Sequence, residues 1–285
     1  MLVDRRASAP FGAVRANYPD GSGMPEVQIT NPAGGILGGD VLGVDVDVAP
    51  GSSATVVTQA ASKAYRREEA SQTAVFRVGG GAFLEYLPHH LIPYASSNYR
   101  QETTFHLVPD AVLLTWDAFS AGRVARGERF AFDRLRARTS VFRRGVPEAV
   151  DGLDLAGWDE PFGGYSYTTA AYVVAPRDLG PLVEKFHDSL AGFPGALASA
   201  SAPAPGLCAV RVLTAGAPGL YGALNGVRTL VRRSFGLAAP AARGDLGRRR
   251  RRALVGRGRV SDPPCGPSAP VPRMVPREER PQTTG

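Results

Sequence analysis

His89 and His90 are the residues of this 285-residue chain whose type and spacing come nearest to metal chemistry. Imidazole binds first-row transition metals well, and the two stand side by side between Pro88 and Pro93. In an extended segment, neighbouring side chains point to opposite faces, so one strand does not aim both rings at a single ion. The pair reads either as one transient metal contact or as a packed, hydrogen-bonded histidine at a bend. His106 and His187 read as structural or exposed. Two carboxylates stand in apolar surroundings: Glu85 between Leu84 and Tyr86, and Asp117 after Trp116. Such a group must be paired, hydrogen-bonded or solvated. Each therefore either lines a polar channel or satisfies a buried arginine, and pairing is the favoured reading. Asp40 follows Gly38-Gly39 and is placed to orient that tight turn through its backbone. Asp45 and Asp47 alternate with Val44, Val46 and Val48 and read as the solvated face of a strand.

Familiar catalytic motifs are missing. The lysines are Lys63 and Lys185, and neither closes a glycine-rich Gly-Lys-Ser/Thr phosphate loop. No GxGxxG, GxSxG, HExxH or CxxC occurs. Cys208 and Cys265 have no metal-ligand or redox spacing, and Cys208 reads as buried filler. The formal charge of +7 points to an acidic partner until it is located. Residues 1–235 carry 22 basic and 22 acidic side chains, whereas 236–285 carry 11 Arg and 4 acids. The folded part is thus neutral and offers no basic face for nucleic acid. Met1–Pro10 has no apolar signal core, and the uncharged stretch 189–210 is broken by Pro194, Pro203 and Pro205. That stretch reads as a linker or loop, and a cytoplasmic location follows by default.

The elements that must position these residues are mostly strands. β-rich runs at 44–48, 54–58, 73–78, 82–87, 99–107, 111–116 and within 129–142 are separated by turn residues such as Pro50-Gly51 and Gly79-Gly80-Gly81. Many short strands at this spacing predict a mainly β fold: a sandwich, a barrel or a stack of strands. No repeat of fixed length is readable. Two helices are expected. One spans 178–190, with Leu179, Leu182, Val183, Phe186 and Leu190 on one face and Asp178 near its start. The other spans 220–235, with Leu224, Val227, Leu230 and Val231 inward and Arg232 and Arg233 at its C-terminal end. Gly236 is a plausible stop.

Four segments, read in order, are more specific than any single motif. Asn31-Pro-Ala-Gly-Gly-Ile-Leu-Gly-Gly-Asp40 resembles the Pro-x-Gly-Gly-x-x-Gly-Gly-Asp signature of the UreD (UreH) urease accessory proteins. Thr58-Gln-Ala-Ala-Ser-Lys-Ala-Tyr-Arg66 is similar to that family's Thr-Gln-Ala-x-x-Lys-x-Tyr-Arg segment. The runs 84–94 (LEYLPHHLIPY) and 116–128 (WDAFSAGRVARGE) match two more of its hallmarks. The likeness covers 11–145 and continues more weakly to about 237.

The resemblance implies a protein that is not an enzyme. It would form a complex with UreF and the GTPase UreG, dock on apo-urease and assist GTP-dependent nickel insertion. Nickel would be a transient passenger, with no tightly bound cofactor. The implied fold is a single elongated, β-helix-like stack of strands over 11–237 with two α-helices. A flexible N-terminus, 1–10, would precede it, and an Arg/Pro-rich disordered tail, 238–285, would follow. On this resemblance Asp40, Glu85, His89, His90 and Asp117 are the candidates for nickel passage. Gln59, Lys63, Tyr65, Arg66, Arg123 and Glu128 are the candidates for a partner-facing edge. Gly34, Gly35, Gly38 and Gly39 would permit turn geometry that a Cβ resists.

The pattern departs at both ends: strands expected before Phe11 are missing, and the final apolar segment is replaced by Arg/Pro text. With 31 Arg against two Lys, a GC-rich gene is implied. A shifted frame in such DNA would write this kind of tail, so a frameshift product stands beside a functional arm. Two other classes remain in view. An Arg-rich tail binding nucleic acid predicts steep salt dependence that vanishes on deleting 240–285. An unrecognised enzyme would need the His89-His90 and Trp116-Asp117 regions to converge on a pocket.

Overall fold

The computed structural model describes residues 4–14, 16–157, 160–190, 193 and 195–240. The expected Arg/Pro tail, from 241 onward, and Cys265 within it lie outside these residues.

The chain winds between two facing sheets. β2 (Glu26–Thr30), β4 (Ser53–Thr58), β7 (Phe83–Leu87) and β10 (Val112–Ser120) lie parallel in the first sheet. β3 (Val41–Val48), β6 (Ala70–Val78), β9 (Asn98–Leu107) and β11 (Arg134–Arg143) lie parallel in the second. Each pass through both sheets is one coil, and successive coils stack in register: a mainly β, solenoid-like architecture with two helices. The coils repeat in position but not in side chains, which is why no sequence repeat shows. Short strands β1 (Gly12–Ala13), β5 (Ser62–Ala64) and β8 (Leu91–Pro93) extend the first sheet.

After β11 the winding stops. β12 (Val146–Ala156) folds back antiparallel on β11, and β13 (Tyr167–Val174) returns antiparallel to β10. β14 (Ala196–Ala204) and β15 (Leu207–Thr214) form a hairpin beyond β13. Helices α1 (Gly180–Leu190) and α2 (Ala217–Ser234) pack on the outside of the first sheet. The Asp178 carboxylate accepts the Gly180 amide at 2.9 Å, and Gly236 takes φ +68° just past α2.

One expectation is corrected here. The stretch 189–210, read as a linker, contains the end of α1, all of β14 and the start of β15. Ala and Ser carry little strand propensity, so the pairing with β15 makes this strand. Pro203 is tolerated because β14 is the edge of its sheet, and the register slips between Ser201 and Ala204, where that proline stands.

The core has three parts. Between the first sheet and the helices lie Leu114, Trp116, Val173, Leu182, Phe186, Leu224 and Val227 among others. Between the two sheets lie two separate apolar clusters. One gathers Phe76, Leu84, Phe105, Leu113 and Val141; the other gathers Ala70, Tyr99, Phe119, Leu135 and Ala137.

Candidate functional site

A polar belt divides the two interior clusters. Inward positions alternate along each strand, and β9, β10 and β11 change character at the same level. β9 passes from Tyr99 through Gln101 and Thr103 to Phe105. β11 passes from Ala137 through Thr139 to Val141, and β10 from Leu113 through Thr115 and Asp117 to Phe119. Asp117 is the charged member. Gln101 Nε2 donates to its Oδ1 at 2.6 Å, and the Thr139 hydroxyl donates to its Oδ2. Burial pushes the Asp117 carboxyl up to about 6; the charge of Asp151 adds to the rise, and the Thr139 and Gln101 hydrogen bonds oppose it. No cation pairs with it among the described residues. The Thr103 hydroxyl, 2 % exposed, lies in the same belt without a hydrogen-bond partner.

Glu85, equally apolar in its sequence setting, points the other way, toward α2. Its Oε2 accepts from Arg228 Nη2 at 2.6 Å, Arg232 Nη2 at 2.9 Å and the Thr55 hydroxyl at 2.7 Å, and its Oε1 accepts from Arg232 Nε at 2.7 Å. Arg232 also donates to Asp20 at 2.6 Å. Burial by itself would raise the Glu85 pKa, but the Arg232 and Arg228 contacts outweigh it and hold the carboxyl below its ordinary range. Both carboxylate oxygens are committed to guanidinium groups, which pin α2 to the sheet. Arg232 stands in the last turn of α2, as expected, and its guanidinium is buried on Glu85. Arg228 was missed. Its signal was an arginine at i+4 from Leu224, on the face that the apolar residues mark as inward.

His89 and His90 sit in an irregular segment, and both rings pack on the ring of Tyr221, at 5.6 and 5.7 Å between centroids. The expected divergence to opposite faces fails because residues 88–90 are not extended strand. His89 Nδ1 lies 2.9 Å from the Thr58 carbonyl, and His90 Nδ1 lies 2.8 Å from the Tyr221 hydroxyl. Burial, helped by the neighbouring His89, lowers the His90 pKa to about 4, so that ring is neutral at pH 7. Asp40 holds its own turn, accepting the Leu37 amide at 2.8 Å. The five residues expected to meet a metal are thus dispersed. Among the described residues no three of His, Cys, Asp or Glu gather around a common point.

Of the residues expected at a partner-facing edge, Tyr65, Arg123 and Glu128 gather around Tyr94. The Tyr65 ring meets Tyr94 edge-on at 5.0 Å, Arg123 stacks 4.6 Å above Tyr94, and Arg123 Nε donates to Glu128 at 2.9 Å. Glu128 also accepts the Ala95 amide at 2.9 Å. The Arg123 hydrogen bond is the main cause holding the Glu128 carboxyl below its usual range. Gln59 and Arg66 are exposed, and Lys63 lines a cavity of about 450 Å³ between the sheets. The glycine turn locks onto Tyr65. Gly34 and Gly39 have φ of +80° and +87°, whereas Gly35 and Gly38 are pressed against Tyr65 and against Arg67-Glu68. A Cβ at Gly35 would enter the Tyr65 ring and come 2.8 Å from the Lys63 carbonyl oxygen. Gly35→Ala is therefore expected to lower stability by about 1–3 kcal/mol, the usual cost of overpacking. Urea denaturation checks this, and a midpoint within error of wild type would contradict the packing.

Four segments far apart in the chain thus touch one another: Gly35 packs on Tyr65, Tyr65 meets Tyr94, and Arg123 stacks on Tyr94. The family model described as UreD urease accessory protein matches residues 1–245. Similar proteins carry the same description. One from Trichormus variabilis is 36% identical over 164 residues, covering 57% of this chain and 59% of the relative. One from an Anaeromyxobacter species is 45% identical over 130 residues, covering 45% and 44%. One from Dechloromonas aromatica is 36% identical over 161 residues, covering 56% of each. The chain spans about half the length of the curated relatives it matches. With four separated segments brought into contact and a family match over residues 1–245, this chain belongs to the UreD family of urease accessory proteins.

Proposed function

We propose that this chain is a cytoplasmic scaffold of urease maturation that holds UreF, UreG and apo-urease and lets nickel pass toward the urease active site. UreG would supply GTP hydrolysis, and this chain would carry no catalytic step. The observation that carries the reading is Asp117: a buried carboxylate, without a counter-cation among the described residues, set in a belt of amide and hydroxyl groups between the sheets. One carboxylate among neutral oxygen donors suits a passing divalent ion. It attracts the charge, while the small number of anionic ligands keeps the contact exchangeable. Gln101 and Thr139 would release their hydrogen bonds to Asp117 as the ion takes their place. The role of Glu85 is different, since its charge is spent on Arg228 and Arg232. In place of metal contacts, Tyr65, Arg123, Glu128 and the exposed Gln59 and Arg66 offer partners a rigid polar edge.

Co-expression of urease subunits, UreF and UreG with and without this chain tests the reading. Urease nickel content and activity are expected to rise only when the chain is present. Equal nickel and activity in both would overturn the proposal.

A further inference from the structure

Among the described residues the two sheets end on four strands: β1 and β14 bound the first, β3 and β12 the second. An edge strand offers a row of backbone donors and acceptors to any chain laid beside it, and charged side chains along it are a common protection. Three of these edges are blunted. β1 is two residues long. β3 carries Asp45 and Asp47, and β12 carries Glu148, Asp151 and Asp154. β14 differs: its nine residues, ALASASAPA, hold no charge, and its one proline, Pro203, stands near the C-terminal end. The regular part, Ala196–Ser201, pairs with β15 on one side, and no described strand pairs with the other. Ala196 and Ala198 pack toward the helices, whereas Leu197, Ser199 and Ser201 alternate with them and are exposed. Leu197 is 59 % exposed, an apolar side chain that a neighbouring strand would cover.

The charge pattern selects the neighbour. Like charges directly opposite one another destabilise a pair of strands. β12 laid antiparallel on a second β12 in full overlap sets Asp151 against itself and Glu148 against Asp154. No such conflict arises at β14. A two-fold axis at Ser199 sets Ser199 against itself, Leu197 against Ser201 and Ala198 against Ala200. These side chains are uncharged and mostly small, so the two backbones can reach the ordinary strand spacing of about 4.8 Å. We propose that β14 is a self-association edge, on which a second copy of this chain adds its own β14 antiparallel and continues the first sheet across a two-fold axis. Such a pairing uses both free edges, so it closes as a dimer and does not propagate. The seam is one strand wide on each side, smaller than a standard interface, and a weak dimer that follows concentration is expected. The inference stands whether or not the interior carries nickel.

Sedimentation velocity of the full chain over a range of concentrations is the test. Monomer and dimer in reversible exchange are expected. Ser199→Lys and Ser199→Glu, at an exposed position, should each weaken the dimer roughly fivefold or more, because each new charge faces its own copy. An equimolar mixture of the two should restore it, since lysine then faces glutamate. Val150→Lys, on the exposed face of β12, should change nothing. If the Ser199 variants do not keep the wild-type circular dichroism spectrum, Leu197→Lys mixed with Ser201→Glu serves instead, and the mixture should associate more tightly than either alone. A wild-type chain that stays monomeric at every concentration overturns the proposal. So does a dimer unmoved by both Ser199 substitutions, one not restored in the mixture, or an equal loss in Val150→Lys. Assemblies larger than a dimer that persist in Ser199→Lys overturn it too.

Discussion

Replacing Glu85 with alanine is expected to remove about 3–5 kcal/mol of stability, the range found when one member of a buried ion cluster is deleted. The cause is the pair left behind. Arg228 and Arg232 are 4 % and 1 % exposed, and without Glu85 the first has no anion, while the second keeps only Asp20. Two buried guanidinium groups cannot be solvated in place, so α2 must lift or the sheet must admit water. Equilibrium urea denaturation measures the loss. A companion variant with Glu85→Leu, Arg228→Leu and Arg232→Met is expected to recover most of it, because removing the whole cluster strands no charge except that of Asp20, which retains Ser22.

The same cluster predicts a pH dependence with a definite sign. The folded-state pKa of Glu85 is depressed, so its stabilisation is complete above the ordinary glutamate value, about 4.3. It is lost as pH falls through the depressed folded value. Glu85→Gln should therefore cost most near pH 7, and its deficit should shrink as the solution is acidified below about pH 4. A deficit that stays constant from pH 7 to pH 3 would show that the carboxylate charge does not hold the helix.

Asp117→Asn is expected to do the reverse for stability while removing function. The folded carboxyl is pushed up to about 6, above the ordinary value near 3.9. Between these values the folded chain binds more protons than the unfolded one, so wild-type stability falls as pH rises through that window. Asparagine has no charge to desolvate; its Oδ1 still accepts from Gln101, and the Thr139 hydroxyl can turn to accept from its amide NH2. The variant should be more stable than wild type at pH 7 by roughly 1–3 kcal/mol, at about 1.4 kcal/mol per pKa unit. The gain should vanish as pH approaches 4. In co-expression, the same variant should reduce nickel loading of urease at least tenfold. Gain of stability with loss of delivery is the signature of a charge kept for its task at a structural cost. An Asp117→Asn chain that is destabilised, or one that delivers nickel normally, would remove Asp117 from the proposed passage.

These two carboxylates also show where sequence reasoning stops. Glu85 and Asp117 look alike along the chain, each an acid within an apolar strand. Period-2 alternation sends Glu85 to the helix side of the first sheet and Asp117 to the space between the sheets, once the strands are placed. Glu85 then meets arginines 143 and 147 positions away, a pairing that no local pattern carries. The members of the belt around Asp117 were partly legible. In Tyr99-Arg-Gln-Glu-Thr-Thr-Phe105 the inward positions run aromatic, polar, polar, aromatic, a break in alternation that could have pointed to Gln101 and Thr103.

The amino-acid sequence by itself determined the mainly β class, most of the strands before residue 143, both helices to within three residues at each end, and the family, through its four separated signatures. These are local properties: alternation, helical spacing, turn chemistry and motif identity all act within a few positions. Only the tertiary structure decided that β14 is a strand, that His89 and His90 share Tyr221, and that one acid is neutralised while another is left charged among neutral donors. Each depends on which residue of a distant coil lies opposite. That is set by stacking register, which is a property of the folded chain and of no segment within it.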